Sequence, residues 1–142
     1  MSAILPLPKR LLKLIETGRW PRTHEEELHQ NLSPLVPKER IRSFAPEEDR
    51  IYFFRPPFRT IAERMRGKEE AFWSKWGALA EIAPNLALGI GDFGLGADSA
   101  IVLDYRNETP PVMRLVWRKP EPNVWVRCAD TFDGFADLLG LD

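Results

Sequence analysis

After Pro84 the chain breaks into four short apolar or alternating runs, Leu86–Ile90, Ala100–Tyr105, Val112–Arg118 and Val124–Cys128, with turn-forming residues between them. This spacing constrains the fold more than any other feature. Parallel neighbours need a crossover of a dozen or more residues, usually a helix. The connections here are only about 5–10 residues long, which suits antiparallel pairing. A fifth run, Ile51-Tyr-Phe-Phe54, is dense in aromatic and β-branched residues and ends at Pro56-Pro57, so it also reads as a strand.

Helical signals flank these strands. Pro8 suits the first turn of a helix to Thr17, with Leu11, Leu14 and Ile15 as its apolar stripe and Gly18 as its stop. Thr23 and Glu26 have capping-box spacing, which predicts a short helix over 24–30. Prolines 34, 37 and 46 predict irregular chain. Residues 59–65 and 68–76 read as helices. Asp130 or Thr131 caps a last helix whose buried face carries Phe132, Phe135, Leu138 and Leu139. The expected architecture is α+β, a mostly antiparallel sheet with helices packed on it, as a single domain over 1–142.

Composition narrows the function classes. The chain carries five Trp, eight Phe and two Tyr with a net charge of −1, which is unlike a disordered segment. That balance gives no global attraction to nucleic acid or to an anionic membrane, so neither is expected as a partner. The single cysteine, Cys128, excludes an internal disulfide and fits a reducing compartment. Two prolines interrupt the first apolar stretch, and Lys9, Arg10 and Lys13 come after it, which is not the order of a signal peptide. No run approaches a membrane span, and cytoplasm is the expected location. Residues 1–22 hold five basic side chains against Glu16, whereas 129–142 hold four aspartates and no base. The two ends are matched to face each other, or present surfaces of opposite sign.

Several segments resemble chemical motifs without their context. Gly89-Ile-Gly-Asp-Phe-Gly94 spells G-x-G-x-x-G, but the mechanism needs a helix after the loop to hold the pyrophosphate. The next run, Ala100–Tyr105, reads as another strand. The expectation is a flexible connection in which the glycines supply positive φ. Asp92-Phe93-Gly94 lacks every other kinase element. Asp92, Asp98 and Asp104 are spaced by six, without the close ligand spacing of a calcium loop. His24 and His29 are five apart and read as surface residues. Cys128 reads as a buried thiol, and Ser99 lacks the flanks of a nucleophile elbow. Glu25-Glu26-Glu27 and Glu47-Glu48-Asp49 read as solvated charge runs. Trp73, Trp76, Trp117 and Trp125 fit a core. Trp20, in the turn Gly18-Arg-Trp-Pro21, is expected as core or as an N-terminal clamp, with an interface anchor as the alternative. No catalytic, metal-ligating or cofactor-binding set emerges.

The ordered set Gly91-Asp-Phe-Gly-Leu-Gly-Ala-Asp-Ser-Ala-Ile-Val-Leu-Asp-Tyr-Arg106, Pro110-Pro-Val-Met-Arg-Leu115 and Trp125-Val-Arg-Cys-Ala-Asp-Thr-Phe-Asp-Gly-Phe-Ala-Asp-Leu-Leu139 resembles the SUKH superfamily. This group contains fungal cell-wall-assembly regulators and many bacterial toxin-immunity proteins. The resemblance covers 85–142. In the first half, Leu7-Pro8 is followed by Lys-Arg-Leu11 and lacks the tyrosine of the family's Leu-Pro-x-x-Tyr step. The resemblance implies an α+β fold with a mixed or antiparallel sheet, a protein partner such as a toxin domain, and no catalytic residues. A cell-envelope regulator without a toxin partner and an enzyme using the 89–98 loop are the other readings.

Two segments are the candidate partner surface. In the loop from Asp92 to Asp98, Phe93 and Leu95 lie among glycines and acids that offer little to pack against. In the corner Arg55-Pro-Pro-Phe-Arg59, an aromatic stands between two arginines on a proline-stiffened chain, which loses less entropy on binding. Phe58 either faces a partner or turns inward as a plug.

Overall fold

A computed structural model describes residues 5–65, 82–93, 100–116 and 124–141. Among them the order is α1 (Lys9–Glu16), α2 (His24–His29), α3 (Lys38–Arg42), β1 (Tyr52–Phe53), β2 (Arg59–Thr60), α4 (Ile61–Met65), β3 (Ala87–Asp92), β4 (Ile101–Asp104), β5 (Val112–Val116), β6 (Val124–Ala129) and α5 (Phe132–Leu139). The fold is α+β, with helices on an antiparallel sheet. The expected helix over 68–76, with Trp73 and Trp76, lies outside the described residues, as does Trp117.

The last four strands form a meander, β3-β4-β5-β6, and every pairing among the described strands is antiparallel. Period-two alternation sorts the strand residues onto two faces. Leu88, Ile90, Ile101 and Leu103 join one cluster with Leu11, Leu14, Trp20, Phe132 and Phe135. Ala87, Val102, Leu115 and Trp125 join a second with Ile61 and Ile82. β4 is therefore buried along its whole length.

β1 and β2 share the other edge of β3. Tyr52 and Phe53 pair with Asp92 and Gly91, whereas Arg59 and Thr60 pair with Gly89 and Leu88. Residues 54–58 thus stand opposite Ile90 alone, and the chain loops out between two short strands. Prolines at 56 and 57 have no N–H to give the ladder, so the excursion falls where pairing is weakest. The Pro56-Pro57 peptide is cis.

Gly89 and Gly91 are strand residues flanking a register shift, not parts of a flexible loop with positive φ. This corrects the expectation for the glycine segment. A Cβ on Gly91 would stand 2.6 Å from the Tyr52 carbonyl oxygen, a backbone atom that moves only with β1. Gly91→Ala is expected to cost about 1–3 kcal/mol by overpacking. On Gly89 a Cβ would meet the Arg64 side chain first, at 3.1 Å, and that side chain can yield. Denaturant midpoints should fall further for Gly91→Ala than for Gly89→Ala. The reverse order would contradict the β1–β3 packing.

Local chemistry sets the helix ends. Thr131, not Asp130, caps α5 by accepting from Gly134 N at 3.0 Å, and Gly140 closes it at φ 74°. Thr23 accepts from Glu26 N, and the Glu26 carboxylate reaches back to Arg22 N at 2.8 Å. The predicted helix over 59–65 opens as strand β2 before turning into α4. Thr60 and Glu63 form its capping box, Glu63 N to Thr60 Oγ1 at 3.1 Å and Thr60 N to Glu63 Oε1 at 3.0 Å. The stretch expected to be irregular contains one helical turn, α3, entered from Pro37. The oppositely charged ends meet, because Arg10 of α1 pairs with Asp137 of α5 at 2.7 Å and donates to the Leu141 carbonyl at 2.6 Å.

Candidate functional site

The corner 54–58 is fixed from behind. The Trp20 indole N–H donates to the Phe54 carbonyl at 2.8 Å, and its ring lies edge-on to Phe58 at 6.3 Å. Phe58 is half-buried against the larger core cluster, so it serves the corner from inside. Next to it, α2 acts as a substitute strand for β1. The buried Gln30 amide donates to the Phe53 carbonyl at 2.8 Å and accepts from Phe53 N at 2.9 Å. One turn earlier, Glu27 accepts from Arg55 N at 2.7 Å and from the Tyr52 hydroxyl at 3.1 Å. Residues three apart share a helix face, and here that face replaces a missing ladder partner. Glu27 is therefore not part of a solvated charge run, since only 16% of its side chain is exposed.

In front of the corner lies a cleft of about 360 Å³, with Arg55, Arg59, Arg64, Glu27, Tyr52 and Phe54 in its lining. The Arg64 guanidinium lies 4.2 Å over the Phe54 ring, in the space Gly89 leaves by having no side chain. Its Nε is buried and has no hydrogen-bond partner among the described residues. Burial, and secondarily the charge of Arg59, lower the Arg64 pKa, while Asp92 and Glu27 act against them. Arg55 is held at 3.6 Å from Glu27 and donates to His24 Nδ1 at 2.8 Å. The Tyr52 hydroxyl is pushed up to about 12 by burial, by its bond to Glu27 and by nearby carboxylates, so it stays a neutral donor at physiological pH.

The structure brings together part of the expected partner surface. Arg55, Phe58 and Asp92 gather around β1, with Asp92 directly opposite Tyr52 in the ladder. Phe93 is a correction. It is buried with 3% exposure, its ring 6.4 Å from Phe44 and 5.7 Å from the Arg114 guanidinium. The apolar pull of the core outweighs the glycine-rich context that suggests an exposed contact residue. Leu95 and Asp98 lie outside the described residues, as does Ser99. Arg64, Tyr52 and Glu27 are site residues that the sequence pattern does not single out, whereas Arg59 belongs to the expected corner. Only the i, i+3 spacing of Glu27 and Gln30 hints at them.

Other reactive groups are accounted for elsewhere. Asp104 is 1% exposed and pairs with Arg106 at 2.6 Å. No group of three metal-ligating side chains occurs among the described residues. Burial pushes the Cys128 thiol up to about 12, which leaves it protonated and a poor nucleophile. His24 and His29 are both exposed. No described helix is long and apolar enough to cross a membrane. Comparison with protein-family models, with curated proteins and with solved structures finds no match.

Proposed function

We propose that this chain is a protein-binding module without catalytic chemistry of its own, an immunity-type protein that binds and neutralises a toxin or a related regulatory scaffold. Cytoplasm is the compartment that fits its lone thiol. The observation that carries the reading is the clamped corner. A proline-stiffened excursion, tied down by Trp20, Gln30 and Glu27, presents Arg55 and the exposed Arg59 beside an aromatic-floored cleft. Preorganised backbone loses little entropy on association, and arginine beside aromatic surface is the common composition of binding hot spots. The resemblance of 85–142 to the SUKH superfamily supports the same reading. The enzyme alternative loses its main support, because a phosphate cradle needs its first glycines in a turn and Gly89 and Gly91 lie in β3.

The test is capture from the source cell's lysate with wild type, Arg55→Ala and Arg59→Ala, each first shown to be folded. A partner held through the corner should bind at least one variant about thirtyfold more weakly, equivalent to about 2 kcal/mol. Equal retention by both variants removes the corner from the interface. A co-purifying metabolite in place of a protein would return the enzyme reading.

A further inference from the structure

We infer that the cleft in front of the corner receives a carboxylate from an acidic segment of the protein partner, gripped by Arg59 and Arg64. This rests on the protein-binding reading and adds the chemistry that would be recognised.

Among the described residues, three guanidiniums line the cleft against one carboxylate, Glu27. Glu27 is already occupied by Tyr52, the Arg55 amide and the Arg55 guanidinium. The Arg64 Nε–H, by contrast, has no acceptor among the described residues. A half-buried cation with an orphaned donor is costly, because that N–H has lost water and gained no acceptor among the described residues. The field of Arg59 adds to that cost. An oxyanion entering the cleft offsets the field of Arg59 and the positive charge of the half-buried Arg64 guanidinium.

Geometry favours a carboxylate. The guanidinium is a planar fork that matches two carboxylate oxygens. The Arg64 guanidinium already rests 4.2 Å over the Phe54 ring, which supports the fork before a ligand arrives. The volume, about 360 Å³, suits one or two side chains and not a folded surface. Charge also disfavours phosphate. Asp92 acts on both Tyr52 and Arg64, so among the described residues three cations face two anions around the cleft. A single negative charge neutralises that balance, whereas a dianion overshoots it beside two carboxylates.

The experiment follows the arginine Nε–H resonances of the full chain labelled with nitrogen-15. The probes are a capped triglutamate peptide, the matching triglutamine peptide and inorganic phosphate. The expected result is a saturable shift of the Arg64 Nε–H with triglutamate only. Binding should weaken at least tenfold in Arg59→Gln, a surface change that leaves the core alone, and in Arg64→Lys, which keeps the charge and loses the fork. The inference is overturned if triglutamine shifts the resonance equally, if triglutamate produces no saturable shift, or if phosphate binds more tightly than the peptide. If the peptide fails while Arg59→Ala still abolishes capture from lysate, only the ligand chemistry is wrong. If the peptide binds while capture ignores Arg59, the partner docks elsewhere and the corner reading is wrong.

Discussion

Truncating Phe135 to alanine is expected to lower stability by about 3–5 kcal/mol, and Phe132→Ala by a similar amount. Both rings are buried, Phe135 fully and Phe132 to 2% exposure. Transfer from water accounts for about 1.5–3 kcal/mol of each side chain. The remainder is the cavity, because the neighbours cannot close over it. Phe135 meets Phe44 edge-on at 5.6 Å, Phe132 lies 6.0 Å from Trp20, and the two rings are 6.3 Å apart. These rings come from three separate segments, so no single shift fills the hole. Against a typical total stability of about 5–15 kcal/mol, such a loss is large. Urea midpoints measured for both variants should fall well below that of wild type with an unchanged slope. A midpoint at the wild-type value for either would mean that α5 does not close the core.

The parts legible in the sequence are those governed by local rules. Strand runs after Pro84 are visible through alternation and short connections, and all four appear within a residue or two of their expected bounds. α1 and α5 are visible in their apolar stripes and caps. The meeting of the basic and acidic ends is legible as charge asymmetry, and Arg10 with Asp137 realises it.

The parts that are not legible depend on partners far along the chain. Gln30 reads as one polar residue in a polar helix until Phe53, 23 residues later, is placed against it. Glu27 sits in a run of three glutamates, and only the Tyr52 and Arg55 contacts distinguish it from its neighbours. Gly91 reads as loop punctuation because sequence shows flexibility and not close approach. Its real constraint is the Tyr52 carbonyl on another strand. Phe93 misleads for the converse reason, since its local context is poor in packing partners while Phe44 and Arg114 supply them from elsewhere. Thr60-Ile-Ala-Glu63 differs from these cases, because its capping box directly after a strand is a purely local signal for the start of α4.

Replacing Trp20 should have the widest consequences, because it joins the core to the corner. Trp20→Ala is expected to cost about 3–5 kcal/mol, as for other buried aromatic truncations. The ring is fully buried, lies 4.2 Å from Phe53 and touches Phe58 and Phe132 as well. Trp20→Phe separates packing from hydrogen bonding. It keeps most of the apolar contact but leaves the Phe54 carbonyl without its indole donor, which should cost about 1–3 kcal/mol. Phe54 is also the floor on which Arg64 stacks, so a loosened Phe54 carbonyl should loosen the guanidinium above it. Trp20→Phe is therefore expected to stay folded, to lose less stability than Trp20→Ala, and to broaden or shift the Arg64 Nε–H resonance although residue 20 is not among those lining the cleft. An unchanged Arg64 resonance in a destabilised Trp20→Phe variant would show that the indole supports only the core. An unchanged midpoint would show that the bond to Phe54 is replaced by water at no cost, and the corner would then owe its shape to Gln30 and Glu27 alone.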